Sequence, residues 1–150
     1  MSKRNLSVGG LFSGVGGIEL GFEKAGFNIL WANEIDKNSC ITYRNNFTHN
    51  LIEGDIKNIK GKDLKPVNIL CGGFPCQPFS IAGYQKGFED ERGNIFFEII
   101  RIVNELKSKP NVLFLENVKN FRSHDKGKTF KTVIDIIQQN GYSVFYDVLN

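Results

Sequence analysis

Cysteine and histidine are scarce in this chain: Cys40, Cys71 and Cys76 are its three cysteines, His49 and His124 its two histidines. An odd cysteine count with no C-x-x-C spacing excludes a disulfide framework, and the two histidines stand too far apart in sequence to suggest a zinc site. Free thiols, a reducing compartment and no metal are therefore expected. Long hydrophobic runs are missing too. No stretch approaches the roughly 18 consecutive apolar residues that a membrane span needs, and Met1-Ser2-Lys3-Arg4-Asn5 leads into a run broken by glycines, so a cytoplasmic protein without membrane attachment is expected. A strong excess of one charge is also absent. Nineteen Lys and Arg against sixteen Asp and Glu leave +3, short of the signature of a dedicated nucleic-acid binder.

What is present is a chain of 150 residues, 41% apolar and 23% charged, enough to bury one core and fitting a single domain over 1–150. Short apolar runs alternate with amphipathic segments of helical length. Strand-like Leu6 to Phe12 precedes helix-like Gly16 to Ala25; Phe27 to Asn33 precedes Ile35 to Phe47. The beat continues through a short strand at Leu51-Ile52, a strand at Val67 to Cys71, a helix from Asn94 to Leu106, a strand at Val112 to Leu115, a helix from Lys128 to Asn140 and a strand at Tyr142 to Leu149. This pattern predicts an α/β fold with an open, mostly parallel, doubly wound sheet. Gly26 and Gly141 stand where a positive φ would cap helices, and Pro110 bars helix continuation before the Val112 strand. The lysine-rich Lys57 to Lys65 stretch reads as a solvated connection. No covering element follows the last predicted strand, so the sheet is expected to be incomplete at the C-terminus, with an exposed apolar strip there.

Chemistry gathers at the carboxyl ends of the predicted strands. Phe12-Ser13-Gly14-Val15-Gly16-Gly17 sits where strand one hands over to helix one; glycines there let a ligand approach the backbone, although such a loop alone is equally an ordinary tight turn. Glu34 follows Gly14 by twenty residues, the spacing at which a Rossmann-like fold sets an acid against ribose hydroxyls. Asp55, in Gly54-Asp55-Ile56, adds a second acid at a strand end, and taken alone reads as a turn residue. The third glycine of the loop comes one residue early for a dinucleotide cradle, and no second mononucleotide half follows, which disfavours a nicotinamide-dependent oxidoreductase. A cofactor with an adenosine and a charged amino-acid tail fits better.

Cys71 continues its strand and reads as a small buried hydrophobe. Cys76, in Gly73-Phe74-Pro75-Cys76-Gln77-Pro78-Phe79-Ser80, lies beyond the strand on a turn stiffened by two prolines, where a nucleophile could be held. Glu116 leaves the next apolar strand at the same edge. A thiolate and a carboxylic acid kept protonated by burial would suit attack on an electron-poor carbon.

These blocks, together with Asn33-Glu34-Ile35-Asp36, Asp90-Glu91-Arg92-Gly93-Asn94-Ile95-Phe96 and Glu116-Asn117-Val118, resemble in content and order the motifs of the DNA cytosine-5 methyltransferases of bacterial restriction-modification systems. The resemblance runs the length of the chain. It implies a Rossmann-like S-adenosylmethionine-dependent methyltransferase fold, with Phe12 and Ile35 bracketing the adenine, Glu34 on the ribose hydroxyls, Asp55 on the adenine amino group, Ile56 and Pro75 in the same pocket, and Gly14, Gly16 and Gly17 leaving room for the methionine end. It implies that Cys76 adds to C6 of a cytosine flipped out of duplex DNA while Glu116 holds N3, and that Ser80, Lys86 and Arg92, in or beside a closing loop from Ile81 to Arg92, contact phosphates. In a host, the product would be DNA protected from a partner restriction enzyme. The family's Gln-x-Arg-x-Arg block, target-recognition domain and final cofactor-pocket segment have no counterpart here. The 150 residues are therefore expected to be a catalytic portion, inactive alone, either a fragment or one chain of a split enzyme whose second chain reads the DNA. A noncatalytic adenosyl-ligand binding module is the alternative.

Overall fold

The computed structural model describes residues 6–75 and 95–149. They fall into two compact units, one comprising the chain up to Phe74 with Arg101–Glu116, the other Pro75–Ile100 with the chain from Asn117 onward.

The first unit is built on five strands, β1 (Ser7–Leu11), β2 (Asn28–Glu34), β3 (Leu51–Glu53), β4 (Ile69–Gly73) and β5 (Val112–Glu116). All four pairings are parallel and the order is β3-β2-β1-β4-β5. The chain thus winds outward from β1 in one direction and then in the other, the doubly wound arrangement that the alternating pattern predicts. Because every strand points the same way, their carboxyl ends share one edge of the sheet, and the reversal of order between β1 and β4 opens a crevice there. Val8, Ile29, Ile69 and Cys71 form a buried patch on the sheet, covered by Ile18 and Phe22 of helix α1 (Gly17–Lys24) and by Phe27. Each of the buried aliphatic side chains Val8, Ile29 and Ile69 contributes about 1.5–3 kcal/mol by leaving water.

Helix ends obey local chemistry. After α1, Gly26 adopts φ 89°, its N–H reaches Glu23 O and that of Phe27 reaches Phe22 O, while the Phe22 and Phe27 rings meet edge to face at 5.3 Å. This is a Schellman cap with its hydrophobic contact. Helix α2 (Lys37–Asn46) starts at Asp36, whose carboxylate accepts from Ser39 N at 2.7 Å; that bond holds the Asp36 carboxyl below the usual range. Helix α3 (Ile95–Glu105) runs across the boundary between the units. In the second unit, helix α4 (Lys128–Gln139) closes on Gly141, φ 93°, with the same cap. Among the described residues no helix is long and apolar enough to cross a membrane.

Two expectations need correction. Lys57 to Lys65 is no plain solvated connection: it folds into two 3-10 turns, Ile56–Asn58 and Gly61–Asp63, with Ile56, Gly61 and Leu64 buried. The Arg101 guanidinium donates to Ile56 O (2.8 Å) and Ile59 O (2.9 Å), and Glu105 accepts from Gly61 N (2.7 Å). Burial alone would raise the Glu105 carboxyl, but the Gly61 N–H and Arg101 outweigh it and hold it low. These anchors are more than forty residues distant in sequence and leave no local signal. The other correction concerns Tyr142 to Leu149, which forms no strand. A strand exists only where a neighbour supplies ladder bonds, and this segment pairs with none of the described strands. Phe145 and Leu149 are instead 94% and 91% exposed.

Gly9 explains how an indole fits in the sheet. A Cβ there would collide with the Trp31 ring, which is buried and tied by its Nε1–H to Lys65 O at 2.9 Å. Gly9→Ala should cost about 1–3 kcal/mol, read as a lower urea midpoint with an unchanged slope. An unaltered midpoint would show that the indole yields freely.

Candidate functional site

The loop after β1 turns sharply. Phe12 adopts φ 54°, uncommon for a bulky residue, followed by Gly14 at 53° and Gly16 at 92°. Ser13 N donates to Asn33 O at 3.0 Å and Gly16 N to Ser13 O at 2.8 Å, closing the turn against β2. Gly16 can take no side chain, because a Cβ would strike the Phe47 ring; Phe47 itself packs against Tyr43 and stacks on His49 at 5.0 Å. At Gly14 and Gly17, by contrast, a Cβ would meet only open space. Those two glycines leave the cradle that a close-approaching ligand requires. Val15, Gly16, Gly17, Leu20, Asn46 and Phe47 also line an apolar hollow of about 240 Å³, below the roughly 300 Å³ at which ligand pockets begin, so it is not in itself a cofactor pocket.

Glu34, at the end of β2, closes the arrangement. One carboxylate oxygen accepts from Gly14 N (2.7 Å); the other accepts from Ile35 N (2.8 Å) and Asp36 N (2.7 Å). The twenty-residue spacing is thus realised as a direct bond. Three N–H donors occupy three of about four lone-pair sites, which leaves one for a hydroxyl donor. Only 9% of Glu34 is exposed, while the adjoining Ile35 is 61% exposed and free to cover a ring. Asp55 follows β3 at the same edge, where its carboxylate caps the first 3-10 turn through Lys57 N at 3.0 Å. Ile56 is buried behind it.

Glu116 stands opposite Gly73 in the β4–β5 register, and a Cβ on Gly73 would come within 2.9 Å of its Oε2. The strand register therefore aims this carboxyl across the exit of β4. Glu116 is exposed, however, at the end of an edge strand, so the burial expected for it is not provided by the described residues: β5 has a neighbour on one side only. Pro75, in the other unit, is also exposed. Cys76, Ser80, Lys86 and Arg92, with the rest of the Ile81 to Arg92 loop, lie outside the described residues. Cys40 and Cys71 are buried free thiols, and burial, then the neighbouring Glu19, pushes the Cys71 thiol far above its ordinary value. An inert, structural Cys71 follows.

Sequence reasoning missed two buried polar residues. The Asn33 amide donates to Ile52 O and Gly54 O, both at 2.9 Å, and so ties the ends of β2 and β3. Glu19, in the first turn of α1, is 1% exposed and bonds Ser13 Oγ through Oε1 at 2.5 Å. A signal for Glu19 existed in Gly10: a glycine inside a central strand marks a close approach, and a Cβ there would collide with the Glu19 carboxyl.

Residues 6–150 match the family model described as C-5 cytosine-specific DNA methylase. The chain belongs to the C-5 cytosine-specific DNA methylase family. Among its relatives, the type II methyltransferase M.Bsp6I of Bacillus sp. (strain RFL6) is 53% identical over 147 residues, covering 97% of this chain and 46% of the relative. M.HhaI of Haemophilus parahaemolyticus, also a type II methyltransferase, is 49% identical over 140 residues, covering 93% and 42%. The chain thus spans less than half the length of these relatives. Of solved structures, an E. coli prophage protein assigned as a DNA modification methyltransferase superposes with a TM-score of 0.68 at 30% identity, over 89% of this chain and 38% of that one. The S. pombe Dnmt2 methyltransferase superposes at 0.63 with 21% identity, over 87% and 39%, a likeness of fold. This C-5 methylase chain therefore has the Rossmann-like methyltransferase fold that its motifs imply.

Burial raises the Glu19 carboxyl above its usual range, against lowering contributions from the Ser13 bond, from its own backbone N–H and from His49, with Glu34 adding to the rise. The folded chain then keeps a proton that the unfolded chain releases, so stability falls as pH climbs from the ordinary carboxylate range towards the folded value, and changes no further above it. Glu19→Gln removes this loss. Urea titrations should show the variant gaining on the wild type between pH 4 and pH 7; a constant difference would mean that Glu19 titrates normally.

Proposed function

We propose that this chain is the S-adenosylmethionine-binding catalytic portion of a DNA cytosine-5 methyltransferase, one domain over 1–150, acting on duplex DNA with the target cytosine turned out of the stack. The observation that carries the reading is the Glu34 carboxylate, fixed by Gly14, Ile35 and Asp36 at the carboxyl edge of the sheet with a lone pair to spare beside two glycines that leave open space. That donor set fits an adenosyl cofactor. Glu34 would take the ribose hydroxyls, Phe12 and Ile35 the faces of the adenine, Asp55 its amino group, with Ile56 and Pro75 completing the wall and Gly14, Gly16 and Gly17 admitting the amino-acid end. When bound, the cofactor supplies the methyl group.

The chain's own residues supply the rest. C5 of cytosine is a weak nucleophile until C6 is saturated, so the Cys76 thiolate adds at C6 and the electron pair of the C5–C6 bond becomes available at C5. Glu116 hydrogen-bonds N3 and steadies the charge that develops on the ring. After methylation, loss of the C5 proton restores the double bond and expels the thiolate. Ser80, Lys86 and Arg92 would hold phosphates, a positioning role without sequence information. Relatives of the matched size carry more than twice this length, so the 150 residues would need a C-terminal partner segment, in the same chain or a second one, to read DNA. Protection of host DNA against a restriction enzyme is the corresponding role.

Calorimetry on the chain should give S-adenosylmethionine binding that weakens about tenfold or more in Glu34→Ala. Complemented with the C-terminal half of the Bacillus relative, it should form a covalent adduct with duplex DNA carrying 5-fluorocytosine, and Cys76→Ser should form none. Cofactor binding without an adduct in any pairing would leave a noncatalytic adenosyl-ligand module. Preference for NAD would overturn both readings.

A further inference from the structure

The Glu19–Ser13 pair lies under the ligand loop and has no part in the chemistry above. Glu19 Oε1 is 2.5 Å from Ser13 Oγ, whereas Oε2 is fully enclosed and meets no hydrogen-bond donor among the described residues. Gly10 of β1 makes room for the pair, since a Cβ there would strike the carboxyl and stand 2.8 Å from the serine oxygen. The groups facing Glu19 are Ser13 from the loop, Cys71 from β4, Tyr43 from α2, and at longer range His49 and Glu34. None of these is a lysine or arginine.

Three proton placements are possible, and they differ in what each leaves unpaired. An ionised Glu19 accepting from Ser13 buries a charged oxygen with no donor, the costliest choice. A proton on Oε2 leaves a buried donor without an acceptor. A proton on Oε1, donated to Ser13 Oγ, leaves only a carbonyl-type oxygen under-satisfied, the mildest of the three. In that arrangement the serine oxygen is an acceptor toward Glu19, and its own hydrogen must turn elsewhere. Ser13 is half-buried and immediately precedes Gly14, where an added Cβ would meet open space.

We propose that Glu19 is a positioning residue that donates to Ser13 Oγ and so commits the serine hydroxyl to donate outward, to an anionic oxygen of the ligand held in the Phe12 to Gly17 loop. The ligand class rests on the adenosyl reading above, in which the anionic oxygen belongs to the carboxylate of the amino-acid tail. Burial, which raises the Glu19 carboxyl, favours the protonated form that this arrangement needs; a serine donating to the carboxyl would act the other way. It also explains an acid that no surface partner needs: the carboxyl fixes the direction of the one side-chain hydroxyl proton in the Phe12 to Gly17 loop.

Two measurements on the full 150-residue chain test it. Infrared spectra at pH 7 should contain a protonated-carboxyl stretch that Glu19→Gln removes and Ser13→Ala shifts. Absence of that band overturns the proposal whether or not a ligand binds. By calorimetry, Ser13→Ala and Glu19→Ala should each weaken S-adenosylmethionine about tenfold, the double variant no further, and Glu19→Gln, whose amide can still donate to Ser13, should stay close to wild type. Decarboxylated S-adenosylmethionine should bind all five chains alike. Additive losses, or equal losses for both probes, would contradict the proposal. Failure of the wild type to bind either probe would refute the adenosyl reading, with the infrared band then deciding the Glu19 assignment.

Discussion

One carboxylate joins the two ends of the site. Glu34 receives N–H groups from the loop after β1 and from its own turn into α2, so the glycine loop and the second strand's exit are held as one piece. Each of those donors would otherwise need water at the mouth of a crevice, and each bond uses a charge that a ligand can still share. The parallel sheet makes this possible: with β1 central and the order reversing beside it, the exits of all five strands lie along one edge, and the residues just past them are the ones free to be functional rather than structural.

Beneath that edge the packing is specialised for closeness. Gly9 admits the Trp31 ring, Gly10 admits the Glu19 carboxyl, and Gly16 admits Phe47. The glycines of this region therefore divide by what surrounds them. Some are required by the protein's own side chains, whereas in the loop after β1 Gly14 and Gly17 face open space. A loop with both kinds is rigid on its inner side and accessible on its outer one, which suits binding of a flexible amino-acid tail without a costly rearrangement.

Much of this was legible in the sequence because it is local or periodic. Strand and helix alternation, the capping glycines Gly26 and Gly141, and the Gly14–Glu34 spacing each follow from residues near one another or from a repeating geometry. What escaped was non-local. Arg101 and Glu105 anchor the 3-10 turns around Ile56 and Gly61 from across the chain, and nothing near Lys57 to Lys65 announces it. The apolar Tyr142 to Leu149 stretch carries a strand pattern but pairs with no described strand, since pattern specifies a face and not a neighbour. Glu116 was placed at the correct strand end yet stands exposed, because burial at an edge depends on what lies beside it. Glu19 was overlooked as an acid in a helix, where charged residues ordinarily face water.

The central claim is that Glu34 presents its remaining lone pair to a ribose diol. The most direct measurement compares the affinity of the chain for S-adenosylhomocysteine and for its 2′-deoxy counterpart, in the wild type and in Glu34→Gln. The account predicts that the wild type prefers the intact diol by about tenfold and that the variant loses most of that preference. Equal affinity for the two ligands in the wild type, or an undiminished preference in the variant, would contradict it.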